Sequence, residues 1–229
     1  MTSPANQAES KDRSEGDGSE RLRPPVAAIA IVGALLILAT IFVASSFGRP
    51  ELEWYAVSAS DPHETGDSLV GPLVYTIDGR GDGLTFFDFS SGSVIEEPDS
   101  LGWDLAFHRF TVLATGGPGF AGKGGIRALG PVSFDSITSV PADGYSVNQE
   151  TPEPSNPAMI KWYDYSWTSH VLRPKPEVFA IRTADGRYGV FQILSYYCPG
   201  AHAGCITLRY RYQGSGGVTF ERGKRQDAA

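Results

Sequence analysis

The side chains of this 229-residue chain that could do chemistry are few: four histidines, two cysteines and one glycine-dense loop. His170 has the most suggestive surroundings. It ends the run WYDYSWTSH (162–170), whose aromatics could line a flat apolar pocket, with Tyr165 and Trp167 placed to stack on a ligand. A histidine beside aromatics is also an ordinary packing element, and both readings stand at this point. His108 follows Phe107 in a strand-like segment and reads as a hydrogen-bonded structural histidine. His63, in the polar stretch SDPHETGDS, reads as solvated, and His202 reads as exposed in the loop between the cysteines. Cys198 and Cys205 bracket that loop between two strand-like segments. Six intervening residues suit neither a redox-active pair nor a metal-binding pair, so a structural disulfide in an oxidising compartment is expected.

The glycine-dense loop almost fits a phosphate-binding P-loop: GPGFAGKG runs from Gly117 to Gly124. The last position of that motif needs a Ser or Thr hydroxyl for magnesium, and a helix should start there. Here Gly124-Gly125 leads into Ile-Arg-Ala-Leu, so the match reads as chance, in a loop whose glycines could still order around a ligand. The chain has no HExxH, GxSxG or CxxC motif and no catalytic triad pattern, so no enzyme is expected. Asp104 and Arg109 flank strand-like aromatics in WDLAFHRF and are expected to make ionic or hydrogen-bonded structural contacts.

Extended segments must position these groups. Residues 54–59, 73–77, 84–89, 103–107, 110–114, 132–134, 160–165, 178–182, 188–197 and 206–212 are rich in Val, Ile, Phe, Tyr and Trp. Asp-Gly and Ser-Gly turn signals separate many of them, and no sustained 3.6-residue apolar period follows residue 50. The expected fold is all-β, an antiparallel β-sandwich or an irregular β fold, with hairpins at 179–194 and across the cysteine loop. In the last strand Leu208, Tyr210 and Tyr212 should share one face and Arg209 and Arg211 the other.

Ahead of this domain, residues 26–44 form an apolar run with no charge between Arg23 and Arg49. At about 1.5 Å per residue it nearly spans a hydrocarbon core of roughly 30 Å. It is longer than the h-region of a signal peptide and follows a long mixed-charge tail, so an uncleaved transmembrane anchor is expected. Arg21 and Arg23 on one side, against Glu51 and Glu53 beyond Arg49 on the other, orient it with the N-terminus in the cytoplasm. The chain then divides into a disordered cytoplasmic tail (1–25), a single transmembrane helix (26–45), a linker with the first strands (46–83), a β domain (84–213) and a C-terminal tail (214–229). Residues 46–229 carry 15 Lys and Arg against 21 Asp and Glu, a net charge of −6. So acidic a domain is a poor binder of nucleic acid or anionic lipid.

Taken in order, WDLAFHRF, the GKGG loop, VPADGY, FAIRTADGRYGVFQILSYY and ITLRYRYQ, with LTFFDFSSGSV ahead of them, resemble the HmuY family of bacterial haem-binding proteins over about residues 84–149 and 177–213. The resemblance implies an all-β extracytoplasmic domain that captures haem through two axial histidines. One of those histidines lies in the segment after the turn matched by ADGY (142–145), and here that segment, SVNQETPEPSNPAM, has none. The other lies shortly after the tryptophan matched by Trp162; Trp167 stands at its place, and His170 comes three residues later. Two functions follow as expectations. One is a periplasmic binding protein on the bacterial inner membrane, for haem or a similar planar ligand, with His170 as the iron ligand and Tyr165 and Trp167 stacking. The other is a non-catalytic accessory subunit of a larger membrane complex, its helix packed among integral membrane partners and its β domain covering them on the periplasmic side.

Overall fold

A computed structural model of the chain describes residues 26–47, 51–150 and 152–221. The N-terminal tail, Arg21, Arg23, Arg49 and the last residues of the C-terminal tail lie outside the described residues, and with them the basic residues used to orient the helix. The chain divides into two units, Met1–Phe47 and Gly48–Ala229. The first carries one helix, α1 (Val26–Phe47), of 22 residues without a charged side chain. It is apolar on every face, as a run without polar periodicity must be.

Among its described residues the second unit contains eleven strands in antiparallel pairings. A five-stranded sheet has the order β1 (Leu69–Asp78), β11 (His202–Gln213), β10 (Tyr188–Cys198), β9 (Val178–Arg182), β6 (Gly125–Gly130). A four-stranded sheet has the order β3 (Ser93–Ile95), β2 (Thr85–Asp88), β4 (Leu105–His108), β5 (Thr111–Ala114). A small hairpin joins β7 (Tyr163–Tyr165) to β8 (Leu172–Pro174). The helical pieces of this unit, among the described residues, are short 3-10 turns at Phe134–Ser136 and Pro157–Met159.

One apolar core is shared by both larger sheets: Phe87, Leu105 and Phe107 of the four-stranded sheet meet Ile77, Phe191, Leu208, Tyr210 and Tyr212 of the five-stranded one. The alternation expected in β11 sets this up. Tyr210 and Tyr212 are each 1% exposed on the core face, while Arg209 and Arg211 point the other way. There they lie over the Phe134 ring at 4.6 and 5.2 Å, and Arg211 Nη2 donates to the Phe134 and Ile137 carbonyls at 3.0 and 2.6 Å. A second cluster with Phe134, Val178, Val190 and Phe220 covers that face, so the sheet is buried on both sides.

Several segments differ from the sequence reading. Residues 54–59 form no strand; a single backbone bond from Ser58 N–H to the Thr76 carbonyl lays them along β1. Residues 132–134 lead into a 3-10 turn behind Pro131, whose ring removes a ladder donor. Of residues 160–165 only the last three pair as a strand, and β3, β6 and β8 are strands that their own residues do not announce.

Candidate functional site

The β7–β8 hairpin is docked by its aromatics. Trp162, just before β7, is 1% exposed and donates its indole N–H to the Phe110 carbonyl at 2.9 Å. Its own carbonyl accepts from Lys175 N–H at 2.9 Å, across the base of the hairpin. Tyr197 of β10 ties the hairpin to the main sheet, because its hydroxyl accepts from Leu172 N–H at 2.9 Å. At the tip, Ser166 N–H donates to the Val171 carbonyl, and the chain turns back through His170 with φ of +54°. A non-glycine residue in this left-handed region is uncommon, and such conformations gather at binding sites. The turn brings the His170 Nδ1 within 2.7 Å of the Tyr165 hydroxyl. With Nδ1 engaged, Nε2 is the ring nitrogen left to meet a ligand.

His170 and Tyr165 line a cleft of about 800 Å³, within the usual range for a small-molecule site. Its walls are mainly apolar and aromatic: Leu52, Phe110, Tyr163, Val171, Leu172, Tyr196 and Tyr197. Burial, then the neighbouring Tyr197, raises the Tyr196 phenol above its ordinary value, so it stays neutral and able to donate at physiological pH. The remaining wall comes from the tip of the β10–β11 hairpin: Gly200 and Ala201 of the turn, with His202 and Ala203 at the start of β11. Cys198 and Cys205 are joined by the expected disulfide across this turn.

Of the residues singled out in the sequence, the structure brings His170 and Tyr165 to the cleft. Trp167 does not line it; 80% exposed, it packs edge-on against Tyr165 with ring centroids 5.6 Å apart. His202 is exposed as expected, yet it shares the cleft with His170 although 32 positions separate them in the chain. The signal was its place in a cysteine-closed turn, which says the turn is fixed but not what it faces.

The glycine-dense loop lies elsewhere and spends its polar groups internally. Phe120, Gly122 and Lys123 donate their N–H groups to the Gly117, Thr115 and Ala184 carbonyls, and the Lys123 carbonyl accepts from Arg182. Gly124 is held against the Thr115 side chain, where a Cβ would not fit. The glycines therefore serve close packing rather than a phosphate cradle. Asp104 is not matched to Arg109. Its carboxylate accepts from Ala184 N–H at 2.8 Å and Phe89 N–H at 2.9 Å, bridging the two sheets. Burial, and then the nearby Asp88 carboxylate, push its carboxyl well above the usual carboxylate range. Arg109 sits in the β4–β5 turn with φ of +52°, its N–H bonded to the Gly79 carbonyl.

Haem is the group that the family resemblance implies, and the donor set fits it. An exposed imidazole with one nitrogen fixed by a phenol is the arrangement in which a histidine binds a metal, its second nitrogen orienting the ring. The flanking surface is apolar and aromatic, as a planar macrocycle requires. Among the described residues the metal-type cluster is Asp78 with Cys198 and Cys205, whose sulfurs are already bonded to each other.

The model of the HmuY protein family matches residues 81–210, more than half of the chain. No curated protein matches the sequence significantly. Among solved structures, the apo HmuY analogue of Tannerella forsythia superposes with a TM-score of 0.52 at 15% identity, covering 66% of this chain and 99% of its own. A structure described as an HmuY-like heme-binding protein from Bacteroides vulgatus gives 0.52 at 18% identity, covering 67% and 97%. One described as a lipoprotein from Bacteroides fragilis gives 0.51 at 17%, covering 66% and 93%. At these identities the likeness is one of fold.

Proposed function

The chain belongs to the HmuY family, and we propose that it is a non-catalytic binding protein that holds haem or a similar planar ligand in the cleft between the β7–β8 hairpin and the β10–β11 turn. The observation that carries this reading is the Tyr165–His170 pair at the wall of an aromatic cleft of about 800 Å³. The heme-binding description of the Bacteroides vulgatus neighbour supports it. His170 is the residue that would hold the metal, Tyr165 orients it, and Phe110, Tyr163 and Tyr196 exclude water from the ligand faces. When bound, haem would supply a ferric centre that accepts a nitrogen donor; the protein's role is selection and retention.

In this reading the two larger sheets form a sandwich-like scaffold. α1 crosses the bacterial inner membrane once and leaves the β domain in the periplasm, where the Cys198–Cys205 disulfide is stable. Residues 48–229 carry the whole β core as one compact unit, so they can be studied without the helix. Titration of that fragment with ferric hemin is expected to give a saturable Soret shift, and His170→Ala should weaken it at least tenfold. No shift, or one indifferent to His170→Ala, would remove haem.

An accessory-subunit role has one observation in its favour: Leu84, 39% exposed, lies beside Phe86, Trp103 and Phe120 where the glycine-dense loop meets the four-stranded sheet. Mild-detergent extraction that yields only the free chain would exclude it.

A further inference from the structure

The turn between β10 and β11 is built more rigidly than a solvated loop requires. Its backbone takes the left-handed region at Gly200, Ala201 and Gly204, with φ of +79°, +62° and +111°. Ala201 lacks glycine's freedom and holds that conformation with its N–H bonded to the Cys198 carbonyl at 3.0 Å. The two strands leading to it are regular as far as Ile193. They then shift register between Ile193 and Ser195, and again between Ser195 and Tyr197. A slip of one residue would turn each side chain to the other face, so the ladder alone does not fix where the tip points. The disulfide does: Cys198 and Cys205, 2% and 0% exposed, clamp the strands just below His202, which pairs with Cys198 in register. The residue this construction presents is an exposed imidazole, in the cleft that His170 enters from the β7–β8 hairpin.

We infer that His202 is a second ligand-binding residue of this cleft and that the Cys198–Cys205 bridge is the device that positions it. The inference rests on the reading that the cleft takes a haem-like ligand. Two imidazoles carried by separate hairpins would hold such a ligand from two anchor points, linked to each other through the Leu172–Tyr197 hydrogen bond. His202 acts on the ligand directly. The cysteines act through His202, and their burial keeps the bridge out of reach of reductants.

Ferric hemin and the fragment 48–229 test this by optical and electron paramagnetic resonance spectra, which read how many nitrogen donors the iron has. The unaltered fragment is expected to give a low-spin, six-coordinate spectrum. His202→Ala, a surface change that leaves the fold intact, should keep hemin bound through His170 but shift it to high spin, with affinity lowered about tenfold. Added imidazole should restore the low-spin signal. Cys198→Ser with Cys205→Ser should lower the low-spin fraction while circular dichroism stays that of the native fold. Adding His202→Ala to that pair should then cost less than it does alone. If His202→Ala binds hemin with an unchanged spectrum and affinity, the inference fails and the cleft reading stands. If the unaltered fragment binds no hemin, the cleft reading fails and the inference falls with it. If the serine pair leaves the low-spin fraction untouched, the bridge is not the positioning device.

Discussion

Between Gly189 and Ile193, β10 pairs with β11 residue for residue; beyond Ile193 the same two strands slip register twice before they reach the turn. Along the regular stretch both faces are covered. Phe191 and Tyr210 lie in the shared core, and Arg211 on the other side spends its guanidinium on carbonyls and the Phe134 and Phe220 rings. Along the irregular stretch a face opens onto a cleft, the tyrosines keep hydroxyls near it, and His202 stands exposed. One hairpin thus supplies the scaffold at one end and a wall of the site at the other. Where regular pairing continues, each side chain is committed to its neighbours; where it breaks, side chains become free to meet something else.

The contrast is broken most directly by truncating one residue at each end. Phe191→Ala removes a fully buried ring between Phe179 and Phe89 and is expected to cost about 3–5 kcal/mol, read as a lower urea midpoint at unchanged slope. His202→Ala should stay within about 0.5 kcal/mol of the parent, as surface changes do. Equal costs would mean that the tip belongs to the core. Replacing both cysteines by serine should fall between, at about 2.5 kcal/mol for so short a closed loop, because the bridge constrains the unfolded chain as well as the tip.

The far end of the scaffold offers a pH test. Asp104 joins Phe89 to Ala184 at the β9–β10 turn, at the opposite end of β10 from the cleft. Its pKa is raised in the folded state, so the folded state holds the proton more tightly. The corresponding stability is full below the ordinary value of 3.8 and is lost as pH rises through the raised value. Asp78, lowered chiefly by its hydrogen bond to Arg80, acts in the other direction and only as pH falls below 3.8. Unfolding free energy measured from pH 4 to 8 should therefore decline through the Asp104 contribution. Asp88→Asn, which removes the second cause of the shift, should make that decline shallower. An identical slope in the variant would place the pH dependence elsewhere.

How legible each region was follows from the same division. β9, β10 and β11 announce themselves through runs of Val, Ile, Phe and Tyr around Asp185-Gly186, and the alternation of Tyr210 and Tyr212 with Arg209 and Arg211 already assigns their faces. β6 contains two glycines and is a strand because β9 pairs with it. β8 contains Arg173 and Pro174 and is a strand because β7 does. At the site, His170 stood out because its aromatic neighbours are adjacent in sequence. His202 did not, because its neighbourhood is created by docking the β7–β8 hairpin on Tyr197, a contact between residues 25 apart. Asp104 makes the hydrogen-bonded structural contacts expected of it, but its partners, the Phe89 and Ala184 N–H groups, are set by strand pairing and not by its neighbours in the sequence.

The smallest expected effect makes the sharpest test of the division. His170 holds a left-handed φ of +54° without glycine's freedom, and its side chain is exposed apart from the bond to Tyr165. If that conformation is kept for a ligand, the fold bears a small cost for it. His170→Gly relieves the steric cost while adding chain entropy to the unfolded state, so stability should change by less than about 0.5 kcal/mol. Hemin affinity should drop at least tenfold in the same protein. His170→Ala keeps the strained backbone without the imidazole, so it should be slightly less stable than His170→Gly and equally poor in binding. Thermal unfolding and hemin titration on the two variants separate these terms. A marked loss of stability in His170→Gly would make the Tyr165–His170 bond a member of the scaffold, and the line between the two ends of the domain would have to be redrawn on the scaffold side of the β7–β8 hairpin.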